Sequence, residues 1–230
     1  MRSAALLLVA AAAGCANDLD PQWQLSHERI IGVRATPPHL AAPGDQSTID
    51  ALLGHKDAPT EERSPDGVQV VSPASLAGTV SHASGKWVVT APSDAQLAAA
   101  RTELGLAADA PVPLQLGVGF ATSMLAATKI VVLGDAHDNP TLDNLMIDGK
   151  APGAGPLVVA PLADIPLAVP ADDATENVNW LTSCGTMHDF DLAKAYVRVE
   201  VADPQTGELG VILRDGNEGV AWQFWTISAQ

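Results

Sequence analysis

A mainly β chain of antiparallel sandwiches, preceded by a secretory leader, is the architecture the sequence predicts. Three observations carry it. Short runs rich in β-branched and apolar residues recur with Gly, Pro, Asn and Asp between them, which marks strands joined by turns. Near the C-terminus the apolar period is two: Val197, Val199 and Val201 alternate with Tyr196, Arg198 and Glu200. The opening MRSAALLLVAAAAGC has one basic residue, a short apolar run and small residues before Cys15, the pattern of a signal peptide. That run is well under the about 20 residues a bilayer-spanning helix needs.

The elements follow in order. Residues 17–22 form a short polar tether, and residues 28–35 (ERIIGVRA) are the first strand, ended by Pro37 and Pro38, which cannot donate to a ladder. Pro43, Gly44 and Asp45 make a turn before a second strand at 47–53 (STIDALL). Residues 56–67 read as a polar loop, and 68–71 and 86–90 as short strands. Ser93, Asp94 and Gln96 open one short helix: Ser93 caps the backbone, Gln96 reaches back, and Asp94 suits the positive helix end. Gly105 ends that helix. Strands are expected at 112–120 and 126–133.

Asp138, Asn139 and Pro140 mark a boundary, after which the pattern restarts. Residues 141–148 (TLDNLMID) resemble ERIIGVRA, a Gly/Pro-rich bend follows, and 165–169 (IPLAV) echo STIDALL, a weak internal repeat. Further strands are expected at 178–182, 196–201, 209–214 and 220–227, the last two joined by the turn-forming DGNEG. Val220, Trp222 and Phe224 should face one way, and Gln223 and Trp225 the other. The expected organisation is a signal peptide at 1–14, a tether at 15–22, and two immunoglobulin-like sandwiches at 23–137 and 138–230, with Trp180 filling the second core.

Ala12, Ala13, Gly14 and Cys15 look like a bacterial lipobox, in which Cys15 is acylated and becomes the N-terminus; Ala12 stands where the pattern usually has Leu, and an ordinary cleaved signal peptide is the alternative. Acyl chains contribute about 0.8 kcal/mol per buried CH2, so several hold a protein firmly on a membrane. By resemblance to well-studied lipoproteins, Ala16 after the cysteine implies sorting to the outer membrane. Twelve Lys plus Arg stand against 27 Asp plus Glu, a formal charge of −15, with the acids scattered. That argues against nucleic acid or anionic lipid as a partner. Of two cysteines, one carries lipid on this reading, so Cys184 has no intrachain partner.

The segments HERIIGVRATPPHLAAPGD, NPTLDNLMIDG, NWLTSCGTMHDFDLAKAYVRV and VILRDGNEGVAWQFWTI together resemble surface lipoproteins of the myxobacterial type. The resemblance implies an envelope lipoprotein with immunoglobulin-like domains. It implies no active-site residue.

Few residue groups invite chemistry. Cys184 and His188, with His137 upstream, supply the thiolate and imidazoles of a type 1 copper site. However, Met187 precedes His188 instead of following it, and three expected strands follow Cys184. The bland alternative is a small buried cysteine at a strand end. Asp135, His137, Asp138 and Asn139, or Asp215, Asn217 and Glu218, offer calcium-type oxygens, although a solvated linker and a hairpin tip need the same composition. There is no G-x-S-x-G, H-E-x-x-H, P-loop or Rossmann pattern. Trp23, Trp87, Trp222 and Trp225 are candidate stacking surfaces, Trp225 being the one expected to be exposed. The leading expectation is a non-catalytic binding, adhesion or assembly module with no cofactor, on the membrane through Cys15, with an envelope protein or glycan partner. The alternatives are a metal or small-ligand carrier using Cys184, His188 and His137, and an envelope hydrolase.

Overall fold

The structure, a computed structural model, describes residues 21–172 and 174–230; the leader and Cys15 lie outside them. Its first half runs β1 (Arg29–Thr36), β2 (His39–Leu40), β3 (Gln46–His55), β4 (Ala58–Arg63), β5 (Gly67–Ser72), a 3-10 turn (Ala74–Thr79), β6 (Val80–Ala83), β7 (Lys86–Thr90), α1 (Asp94–Leu104), β8 (Val112–Phe120) and β9 (Leu125–Leu133). The second half runs β10 (Met146–Ile147), β11 (Leu157–Val159), β12 (Asp164–Ala168), β13 (Glu176–Thr182), β14 (Thr186–His188), β15 (Lys194–Arg198), β16 (Thr206–Asp215) and β17 (Val220–Ala229).

The two halves share one topology. In the first, sheet β1-β3-β7-β6 faces sheet β2-β9-β8-β5; in the second, β10-β12-β15-β14 faces β11-β17-β16-β13. Lettered in chain order, each is an A-B-E-D sheet opposite a sheet holding C, F and G, the immunoglobulin arrangement. In each, a short strand also runs parallel to the last one, β2 beside β9 and β11 beside β17. The weak sequence repeat corresponds to this shared opening of strand, bend and strand.

The alternation in β8 drives its sheet onto the first core: Val112, Leu114, Leu116, Val118 and Phe120 point in, and Gln115, Gly117 and Gly119 point out. The second core is centred on Trp180 on β13, fully buried, its indole N–H donating to the Leu192 carbonyl at 3.1 Å. Helix α1 connects β7 to β8. Ser93 and Gln96 form the reciprocal capping box, Gly105 ends the helix at φ 67°, and Leu97 and Ala100, one turn apart, reach the first core.

Three expectations are corrected. The supposed loop at 56–67 contains β4, which turns back at Asp57 (φ 61°) and pairs with β3. Its Pro59, Glu61, Glu62 and Arg63 carry no apolar period because it is a mostly exposed edge strand, where proline and charge discourage further pairing. Residues 141–148 yield only the two-residue β10, because the chain turns from Leu142 to Leu145 and has positive φ at Asn144 and Asp148. The alternation at 196–201 outlasts its strand: β15 ends at Arg198, the chain turns between Glu200 and Asp203, and Val201 is 82% exposed.

Candidate functional site at the junction of the two sandwiches

Hydrophobic residues that neither sandwich uses internally meet between them. Leu52 on the outer face of β3 and Ile31 on β1 pack with Ile212, Val220, Trp222 and Phe224 from the outer face of β16–β17, joined by Leu25 and Leu181. Gly210 makes this possible, because the Phe224 ring lies where a Cβ at Gly210 would be. Each fully buried aliphatic or aromatic side chain of this kind contributes about 1.5–3 kcal/mol.

The chain before β1 also crosses over. Thr182 N–H donates to the Trp23 carbonyl at 2.9 Å, Leu25 N–H donates to the Thr182 carbonyl at 3.0 Å, and Trp23 packs on the second core. Trp23 was expected to open the first sandwich; its contacts are with the second.

A polar rim surrounds the apolar centre. Arg34 lies 4.0 Å over the Trp222 ring and pairs with Glu62 at 2.6 Å, while the Trp222 indole N–H donates to the same carboxylate at 2.8 Å. Thr60 donates its amide to Glu208 at 2.7 Å. Asn139, read from sequence as solvated linker, bridges the halves: its NH2 donates to the Ala35 carbonyl at 2.9 Å and its oxygen accepts from Val220 N–H at 2.8 Å.

Around the 216–219 hairpin tip the polar groups are interlocked. Asp215 accepts from the amides of Asn217 and Gly219 and from His137 Nε2 at 2.8 Å. Burial pushes the Asp215 pKa up, but the bonds from His137, Gly219 and Asn217 outweigh it and leave the pKa below the usual aspartate value. Buried His39 donates through Nε2 to the Asn217 carbonyl at 2.8 Å, which fixes that proton on Nε2, and its ring lies 5.1 Å from that of His137. Lys129, buried on β9, donates to the Glu218 carbonyl; burial lowers its pKa and the nearby Glu218 carboxylate opposes that.

The carrier constellation does not assemble. Cys184 sits in the second core, its thiol pKa raised first by burial and then by Asp203. His188 is exposed and stacks on Tyr196 at 4.4 Å, and His137 is held by Asp215. Cys184 and His188 thus have separate surroundings, and neither shares a partner with His137. Among the described residues no group of three or more His, Cys, Asp or Glu is placed to hold a metal ion. Of the oxygens considered for calcium, Asp135 Oδ1 accepts from the Ala136 amide, Asp215 from hairpin amides and His137, and the Asn217 carbonyl from His39. Asp138, Asn139, Glu176 and Asp215 line an open cleft of about 910 Å3.

Trp225 is also corrected. It lies opposite Trp222 and Phe224 in phase, as expected, but is 5% exposed, because one face of β17 meets its own sandwich and the other meets the first. The junction itself had a sequence signal that the two-residue period hides: Leu209–Leu213 (LGVIL) carries apolar or small residues on both faces, as a strand covered on both sides does.

Beside the rim lies a second opening of about 230 Å3, lined by Arg29, Ile31, Asn179, Phe190, Ile212 and Arg214 among others. Arg29 donates to the carbonyls of Gln22 and Gln24, both at 2.9 Å. Arg214 donates to Asn179 Oδ1 at 2.7 Å and to the Ile31 carbonyl at 2.8 Å.

No protein-family model and no curated protein matches the chain. Among solved structures it is similar to the fibronectin(III)-like modules of Clostridium thermocellum CbhA, at 13% identity and TM-score 0.30, covering 86% of this chain and 94% of that one. It is similar also to the two tandem V-type regions of a v-region-containing chitin binding protein, at 13% identity and TM-score 0.32, covering 87% and 100%. A nucleoside hydrolase-related hypothetical protein from Saccharophagus degradans, associated with carbohydrate metabolism, is matched at 16% identity and TM-score 0.31 over 37% of this chain and 25% of that one. Superposition at this level carries no function across, and the fold rests on the strand order itself.

Proposed function

We propose that this protein is a lipid-anchored envelope module, tethered through Cys15, whose two sandwiches act as one rigid, non-catalytic body for binding or assembly. The observation that carries the reading is the junction core: Leu52, Ile31, Ile212, Trp222 and Phe224 fix the angle between the halves instead of leaving them on a loose linker. A fixed angle suits a protein that must present one sandwich at a set distance and direction from its tether. The state of the reactive side chains supports a non-catalytic role. A buried thiol with a raised pKa is a poor nucleophile, and His39 and His137 are engaged in structural contacts. The outer membrane is the proposed location, and an envelope protein or glycan is the proposed partner.

Two experiments test this. Mild-detergent purification of the tagged full-length chain from its native envelope should recover a stoichiometric partner; recovery of the chain alone counts against an assembly role. Cys15→Ser should abolish fatty-acid labelling, and unchanged labelling would remove the anchor from the account.

A further inference from the structure

We infer that the crevice between β1 and β13–β16 binds a small carboxylate carrying an apolar body, the carboxylate facing Arg29 and Arg214 and the body lying on Ile31 and Phe190. This goes beyond the module reading, which needs only the junction core.

The crevice concentrates positive charge in a strongly acidic chain. Arg34, Arg63 and Arg198 each hold a carboxylate, whereas among the described residues no carboxylate stands within ion-pair distance of Arg29, Arg101 or Arg214, and of these three Arg29 and Arg214 share the crevice. A guanidinium has five N–H donors. Arg29 uses two on backbone carbonyls, and Arg214 uses one on a carbonyl and one on a carboxamide, so each keeps donors unassigned. The Arg29 Nε–H is buried with no acceptor. Burial lowers the pKa of both groups, which reflects the cost of holding cations here without a counter-charge.

The sequence builds the crevice locally. A register shift between Ile30 and Gly32 makes a bulge in β1, and the Ile31 carbonyl at that bulge accepts from Arg214. Both Ile30 and Ile31 thereby line the crevice, with Leu181 opposite. Two planar forks above apolar walls match the flat face of a carboxylate and its hydrocarbon body. A phosphate would lay its further oxygens and charge against isoleucine and phenylalanine, and the net −15 opposes a dianion more than a monoanion.

The test is calorimetric titration of the purified full-length chain with isocaproate, with its neutral amide isocaproamide, and with inorganic phosphate. Isocaproate should bind saturably and shift the guanidinium N–H resonances of Arg29 and Arg214. The amide should bind at least about tenfold more weakly, as should phosphate. Arg29→Gln, which leaves the Arg214 ties intact, should weaken isocaproate by roughly tenfold, and Arg214→Gln by at least as much if it folds. Equal binding of acid and amide, tighter binding of phosphate, absence of saturable binding, or isocaproate affinity unchanged in a folded Arg29→Gln would each overturn the inference. The wild-type comparison decides even if both variants fail to fold.

Discussion

Hairpins β8–β9 and β16–β17 occupy the same place in their sandwiches, yet one is buried on one face and the other on both. The outer face of β8–β9 shows Gln115, Gly117, Gly119, Ala126 and Thr128, small or polar, with the partly exposed Ile130 and Val132 at its β9 end. The outer face of β16–β17 shows Ile212, Val220, Trp222 and Phe224, covered by the first sandwich. The same fold position is therefore a free surface in one half and a structural interface in the other. What differs is the centre of the outward face: glycines, Ala126 and Thr128 in the first hairpin, Ile212, Trp222 and Phe224 in the second.

That difference can be broken most strongly at Ile212, which is fully buried. Ile212→Asp places an unpaired carboxylate in the junction and should cost about 3 kcal/mol or more in urea unfolding. Gln115→Asp, on the outer face of β8, should stay within about 0.5 kcal/mol. A glycine pair sharpens the contrast. Gly210→Val collides with the Phe224 ring and should cost about 1–3 kcal/mol, whereas Gly119 has open space around a new Cβ, so Gly119→Val should be neutral or slightly stabilising. Thermal melts of the two variants measure this directly.

Smaller effects are expected at the rim. Asn139→Ala removes both bonds of the bridging carboxamide and should cost about 1–2 kcal/mol in the same unfolding assay. The smallest effect is the pH dependence of Asp215. Its folded pKa lies below its ordinary value of 3.8, so the unfolded chain binds this proton more readily. Its contribution is therefore complete above the unfolded pKa and is lost as pH falls through the folded one. An acid titration of stability should show a shallower decline below about pH 4 in Asp215→Asn than in wild type.

β8 was legible in the sequence because one-sided burial leaves a two-residue period, β13 and β17 fell within a few residues of their expected bounds on their apolar content, and the capped helix fell where Ser93 and Gln96 put it. The junction was not legible, because it joins residues as far apart as Ile31 and Arg214 through outward positions that local periodicity assigns to solvent. β4 escaped for the opposite reason: an exposed charged edge strand has the composition of a loop. Cys184, His188 and His137 looked like ligands by type and chain order, but Cys184 points into the second core, His188 lies on its exterior, and His137 belongs to the junction. Arg29 and Arg214 stood out in neither composition nor motif, since only the folded arrangement brings to one crevice two guanidiniums that have no carboxylate partner among the described residues.

Whether the junction makes two sandwiches into one body is read by backbone 15N relaxation of the full-length chain. A single rotational correlation time shared by β1–β9 and β10–β17 is expected, splitting into two in Ile212→Asp. Two distinct correlation times in the wild-type chain would show independently tumbling domains and contradict it.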